Sequence, residues 1–155
     1  MDDGSDMKRS FQGGCQCGSV RYQYEGEVLN IFACHCTECQ KQSGSAFGMG
    51  LWIEDSGLVR LSGTLLKWTR HLPTGEDMVC EFCDQCGTRV FHVSESYRAK
   101  GIVSIKPGTI DDTSWIQPRA QIWLERAQPW LAFQPGAVTH PRNPPSIAAL
   151  ADLPE

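Results

Sequence analysis

Three thiols fall within six residues at Cys34-His35-Cys36-Thr37-Glu38-Cys39, with a histidine among them. Such a cluster binds metal or does redox work. Cys15 and Cys17 precede it and Cys83 and Cys86 follow, so seven of the eight cysteines sit in three tight groups and Cys80 stands apart. Neighbouring cysteines in a C-x-C pair are too close to bridge comfortably, and in a reducing compartment clustered thiols are ligands or redox groups before they are a disulfide framework.

Structural zinc takes four tetrahedral ligands, supplied in pairs from separate short turns. Cys17 and Cys86 are each followed by glycine, Gly18 and Gly87. After a second ligand the backbone must double back, and glycine does so at positive φ without a Cβ clash. Cys39 is followed by Gln40, so its group lacks this mark. Cys15, Cys17, Cys83 and Cys86 are therefore expected to form one closed zinc site, which would clamp distant parts of the chain together. Cys34, Cys36 and Cys39 remain, one ligand short of a tetrahedron, and three protein ligands with an open position is how catalytic zinc is held. His35 or Cys80 would close that site. His35 lies between ligands and is expected to point away; a lone strand cysteine such as Cys80 is expected as a small buried hydrophobe.

The elements that must position these groups are mostly strands. Met1–Ser10 is polar and reads as a disordered lead-in. Ser19–Tyr24 alternates apolar and polar residues as a half-buried strand does, closed by Gly26, and Val28–Ala33 reads as a second strand delivering the chain to Cys34. Thr37–Gln42 suits one or two helical turns ended by Ser43-Gly44. Further strands are expected at Ala46–Ile53, Leu58–Leu61, Leu65–Thr69, Met78–Phe82, Arg89–Val93 and Gly101–Ile105, with a turn around Gly63. The pattern predicts an antiparallel, mainly β protein. The aromatic-rich stretch around Trp115, Trp123 and Trp130 is expected to cover a sheet face, followed by a proline-rich tail with a last helical turn near Ala148–Leu150. The expected organisation is a lead-in over residues 1–12, one zinc-binding domain over 13–135 and a tail over 136–155.

Composition narrows the partners. A chain of 155 residues has the length of one domain. Its net charge of −4 and scattered lysines and arginines argue against a nucleic-acid partner. The polar start has no apolar leader segment, and no apolar run is long enough to span a membrane, so a cytoplasmic protein is expected. Oligomeric state is not legible.

In order, GGCQCGSVRY, CHCTECQKQSGSAF, EFCDQCGT and KPGTIDDTSWIQPRAQIWLERAQPW resemble the glutathione-dependent formaldehyde-activating enzyme family, which also takes in centromere protein V. The resemblance runs from about Gly13 to Phe133. It implies the β-tent fold, antiparallel sheets meeting over zinc. It also implies two zinc ions per chain, one structural on Cys15, Cys17, Cys83 and Cys86 and one catalytic on Cys34, Cys36 and Cys39. The activity implied is that of a carbon–sulfur lyase joining glutathione to formaldehyde as S-hydroxymethylglutathione. An incoming thiol ligated at the open position would lose its proton and present a sulfur nucleophile to a small aldehyde. His35, Glu38 and Ser43 are the nearby groups able to move a proton, and none is assigned as catalytic. Anionic glutathione calls for basic side chains, available as Arg21, Lys41, Lys67, Arg70 and Arg89. The alternative is a scaffold module in which both zinc ions are structural. A third, redox reading would use Cys36 and Cys39 as a metal-free dithiol.

Overall fold

The computed structural model describes residues 8–133 and 135–144. In chain order these form β1 (Lys8–Gly14), β2 (Arg21–Cys34), helix α1 (Thr37–Ser43), β3 (Gly48–Glu54), β4 (Leu58–Ser62), β5 (Leu65–His71), β6 (Asp77–Cys83), β7 (Arg89–Ser94), helix α2 (Glu95–Ala99), β8 (Ile102–Ile105), β9 (Ala120–Ile122) and β10 (Val138–Thr139). The protein is mainly β, as its alternating pattern predicts. No described helix is long and apolar enough to cross a membrane.

The chain divides into two compact units. One comprises the residues up to Val28 with Trp52–Trp115; the other comprises Leu29–Leu51 with the residues from Ile116 onward. In the first unit β2 pairs antiparallel with β1, from Lys8 opposite Glu27 to Gly14 opposite Arg21, and with β4. Strands β5, β6, β7 and β8 form an antiparallel meander in which Trp68 faces Cys80, Cys80 faces His92 and His92 faces Ser104. The lead-in thus gives way to strand from Lys8, because pairing with β2 satisfies backbone groups that a polar segment would otherwise leave to water.

Alternation along β2 buries Tyr22, Tyr24 and Val28 and exposes Gln23, Glu25 and Glu27. Tyr22 packs edge-on to Phe91 with ring centroids 5.2 Å apart, and its hydroxyl lies 2.7 Å from Thr109 Oγ1. Because the Thr109 hydroxyl already donates to the Lys106 carbonyl, the Tyr22 hydroxyl is the donor of this pair. Gly26 does not close a strand. Strand β2 runs through it for fourteen residues, and the glycine is needed for close approach: a Cβ there would lie 2.5 Å from the Tyr24 hydroxyl oxygen. That hydroxyl donates to the Glu27 carbonyl at 2.6 Å.

In the second unit the end of β2 pairs with β9 and β9 with β10, and both pairings are parallel. This corrects the expectation of antiparallel pairing throughout. Parallel neighbours need a long crossover instead of a tight turn, so turn signals in the sequence cannot reveal them. Of the tryptophans, Trp115 packs on Phe11 with Arg9 over its ring, Trp52 is fully buried, and Trp130 is 71% exposed with its Nε1 donating to Gln128 Oε1. The expected final helical turn near Ala148–Leu150 lies outside the described residues.

Substituting Tyr22→Phe should lower the unfolding free energy by about 1 kcal/mol, the ordinary worth of one buried hydrogen bond, with no loss of metal. Denaturant titration beside a zinc assay measures both.

Candidate metal centres

All eight cysteines are free thiols, and two groups of them converge: Cys15, Cys17, Cys83 and Cys86 in the first unit, and Cys34, Cys36 and Cys39 in the second. Within each group the sulfur atoms lie within 4.8 Å of one another.

The four-sulfur centre is made by two matching turns. Cys15 follows β1 and Cys83 ends β6; Gly18 (φ 82°) and Gly87 (φ 77°) take the left-handed conformation that reverses the chain after each second cysteine. Their N–H groups donate to the carbonyls of Cys15 and Cys83. Further N–H groups point at sulfur, from Val20 to Cys15 Sγ at 3.2 Å and from Gln85 to Cys83 Sγ at 3.3 Å. Two hydroxyls join them. Ser19 Oγ lies 3.2 Å from both Cys17 and Cys83 Sγ, and Thr88 Oγ1 lies 3.2 Å from Cys86 Sγ while accepting from the Gln16 N–H.

These donors favour thiolate at Cys86 and Cys15, whereas at Cys17 the Ser19 hydroxyl and N–H are outweighed by the thiols of Cys15 and Cys86, which leave it above its ordinary value. The Thr88 hydroxyl and N–H pull Cys86 down to about 5. Burial opposes the Cys15 thiolate, but the Val20 N–H and the Ser19 hydroxyl outweigh it and bring the group down to about 7. Zinc–sulfur distances of about 2.3 Å place sulfurs at tetrahedral corners about 3.8 Å apart. Here Cys15 and Cys17 Sγ are 3.5 Å apart and Cys17 and Cys83 Sγ 3.8 Å, so the donor set fits a tetrahedral zinc.

The three-sulfur centre is local. Cys34 is the last residue of β2, Cys36 is the N-cap of α1, and the Cys36 sulfur accepts the Cys39 N–H at 3.3 Å. The C-x-x-C spacing is thus the spacing from N-cap to third helical residue, which turns both sulfurs the same way. Gly44 (φ 62°) ends the helix. Gly48 admits β3 beside it, since a Cβ there would lie 3.1 Å from Cys39 Cβ. The thiols of Cys36 and Cys39, with burial, push Cys34 far up from its ordinary value. Three sulfurs this close cannot all ionise unless a cation joins them, and the set suits a soft divalent ion such as zinc.

The residues able to close this centre do not. His35 is buried, its Nε2 lies 2.7 Å from Gln121 Oε1, and its ring is flanked by Phe47 and Phe133. As the amide oxygen accepts, Nε2 carries the proton. Cys80, 1% exposed, belongs to neither sulfur group. Of the other proton-moving candidates, Ser43 donates to the Gln40 carbonyl and Glu38 is exposed. Gln40 was not legible as a site residue. Its amide donates to the carbonyls of His35 at 2.8 Å and Arg126 at 2.9 Å, tying α1 to the segment before it and to the chain beyond β9.

A strand-rich fold carrying a four-cysteine and a three-cysteine group defines a class of β proteins whose cysteine groups could hold zinc. The family model for the glutathione-dependent formaldehyde-activating enzyme matches residues 10–126, and the chain belongs to that family, which is associated with enzymatic activity. The crystal structure of a Rhodobacter sphaeroides protein shares the fold at a TM-score of 0.51. The two are 21% identical over 70% of this chain and 92% of that one.

If the four-sulfur group holds a structural zinc, replacing Cys83 by serine should leave the chain unfolded or insoluble, because such a zinc contributes on the order of 10 kcal/mol to folding. Cys80→Ala should cost only about 1 kcal/mol as a small core cavity. Zinc content and melting of the two variants separate a ligand from a core thiol.

Proposed function

We propose that the protein is a zinc-dependent carbon–sulfur lyase, or thiol–aldehyde adduct synthase, resembling S-(hydroxymethyl)glutathione synthase. The observation that carries this reading is the three-sulfur group of Cys34, Cys36 and Cys39, which no fourth ligating side chain joins among the described residues. In this reading Cys15, Cys17, Cys83 and Cys86 hold a structural zinc and the three-sulfur group holds a working one, with a small thiol such as glutathione and a small aldehyde as substrates.

The chemistry that zinc supplies when held by three thiolates is acidification of an incoming thiol at neutral pH. The chain's own residues keep a place for that thiol. The Cys39 N–H withdraws charge from the Cys36 sulfur, and the Gln40 amide anchors the first turn of α1 that presents both thiols. His35, held by Gln121, is kept off the centre so that no imidazole completes it. Adduct formation joins the thiol sulfur to the aldehyde carbon, and the thiol's proton passes through solvent to the aldehyde oxygen. The reverse reaction breaks the same carbon–sulfur bond. Attack by a thiol suits a sulfur-rich centre better than hydrolysis, because three thiolates leave zinc a weaker Lewis acid than three neutral histidines would.

Replacing Cys36 by serine puts a hard oxygen in place of a soft thiolate and weakens zinc affinity. The variant should fall from about two zinc ions per chain to about one, keep its fold through the other centre, and lose turnover of glutathione with formaldehyde. Cobalt substituted into the parent should change its absorption when thiol is added; in the variant it should not. If the parent's cobalt spectrum ignores every thiol offered, both centres are structural and the reading fails.

A further inference from the structure

A buried carboxylate on the β5–β8 meander has more positive charge around it than it neutralises. Glu81, on β6, is buried, and its two oxygens accept from Arg60 of β4 at 2.8 and 2.9 Å. The Arg60 guanidinium lies over the Phe91 ring, 4.6 Å from its centroid, which holds its plane. Two of its five N–H groups are used on Glu81 and the others stay available. Lys67 stands directly opposite Glu81 on the neighbouring strand β5, so the two side chains rise from the same face. Among the described residues no carboxylate lies within ion-pair distance of Lys67.

Arg60, Lys67 and Glu81 line one cavity of about 300 Å³, at the small end of the range for ligand sites. Much of its remaining wall is apolar. Val79, two residues before Glu81, shares that face and pairs with Val93 of β7, and Val103 of β8 continues the lining. Toward β8 the cavity is lined by Asp55 and Arg98. The Asp55 N–H donates to the Gly101 carbonyl at 2.8 Å and the Gly101 N–H to the Arg98 carbonyl at 3.0 Å, so one carboxylate and one guanidinium stem from the same turn.

Charge and shape together select the ligand. Arg60, Lys67 and Arg98 set against Asp55 and Glu81 leave the cavity one positive charge in excess. A zwitterion would leave that charge unmatched, and a dianion would overshoot it. A small inorganic anion would match it without covering the valines. One negative charge on an apolar body meets both conditions.

We propose that this cavity binds a short aliphatic monocarboxylate, its carboxylate between Lys67 and Arg60 and its chain along Val79 and Val93. The proposal involves neither sulfur group and stands apart from the thiol–aldehyde reading.

The test is calorimetric titration of the zinc-loaded full chain with sodium acetate, butyrate and hexanoate at fixed low ionic strength. Saturable binding is expected, tightening about threefold for each CH₂ added along the series and weakening as sodium chloride is raised. Lys67→Gln should weaken hexanoate about tenfold, whereas Arg70→Gln, on the opposite face of β5, should not change it. Val93→Thr should flatten the dependence on chain length. Should that variant fail to fold, Val79→Thr and the parent's own series still decide. Absence of heat with millimolar hexanoate, or equal weakening by Arg70→Gln, overturns the site. Equal affinity for acetate and hexanoate overturns the apolar seat, and hexylamine binding as tightly as hexanoate overturns the charge assignment.

Discussion

Sulfur atoms held 3.5 and 3.8 Å apart without a covalent bond set the terms for the first unit. A disulfide would bring two sulfurs to about 2.05 Å, and free thiolates at these separations repel. As neutral thiols they can share hydrogen bonds, and ionised together they need a shared cation. The glycines at positive φ, the N–H groups aimed at Cys15 and Cys83, and the Ser19 and Thr88 hydroxyls all serve this geometry. Because the four cysteines come from the β1–β2 connection and from the β6–β7 connection, the same geometry sets how those strands stand to one another.

The two sulfur groups differ in their surroundings. In the four-sulfur group, donors lower Cys86 and Cys15, while the thiols of Cys15 and Cys86 outweigh the Ser19 hydroxyl and leave Cys17 raised. In the three-sulfur group one N–H reaches Cys36, and Cys34 is raised by its own neighbours. The first resembles a closed structural centre. The second would need a cation to ionise fully, and no fourth described side chain joins its three sulfurs, the feature on which the proposed lyase reading rests.

The meander of β5–β8 shows how alternation partitions charge as well as polarity. On one face Glu81 neutralises Arg60, and a guanidinium over the Phe91 ring adds cation–π attraction. On the other, burial and then Lys106, Arg89 and Arg70 disfavour the charged form of His92. The bulge at Glu81/Phe82 is responsible for part of this, since a one-residue shift moves a side chain across the sheet and here sets Arg89 beside His92.

What the sequence determined by itself is whatever short-range chemistry can encode. Cysteine spacing and the glycines after Cys17 and Cys86 marked which thiols the fold would gather, and period-two alternation placed β4 through β8 to within a few residues. The C-x-x-C spacing and Ser43-Gly44 marked α1 and its end. Tertiary structure decided the rest. Gly26 reads as a strand end in isolation, yet it exists to admit the Tyr24 hydroxyl. Parallel pairing of β9 leaves no turn to read. Ser19, Thr88, Gln40 and Gln121 are ordinary polar residues until the fold carries them to the sulfurs or to His35. The basic residues were indistinguishable because charge in a sequence carries no direction; the fold decides that Arg21 meets the Asp111 carboxylate and that Lys67 shares a sheet face with Glu81.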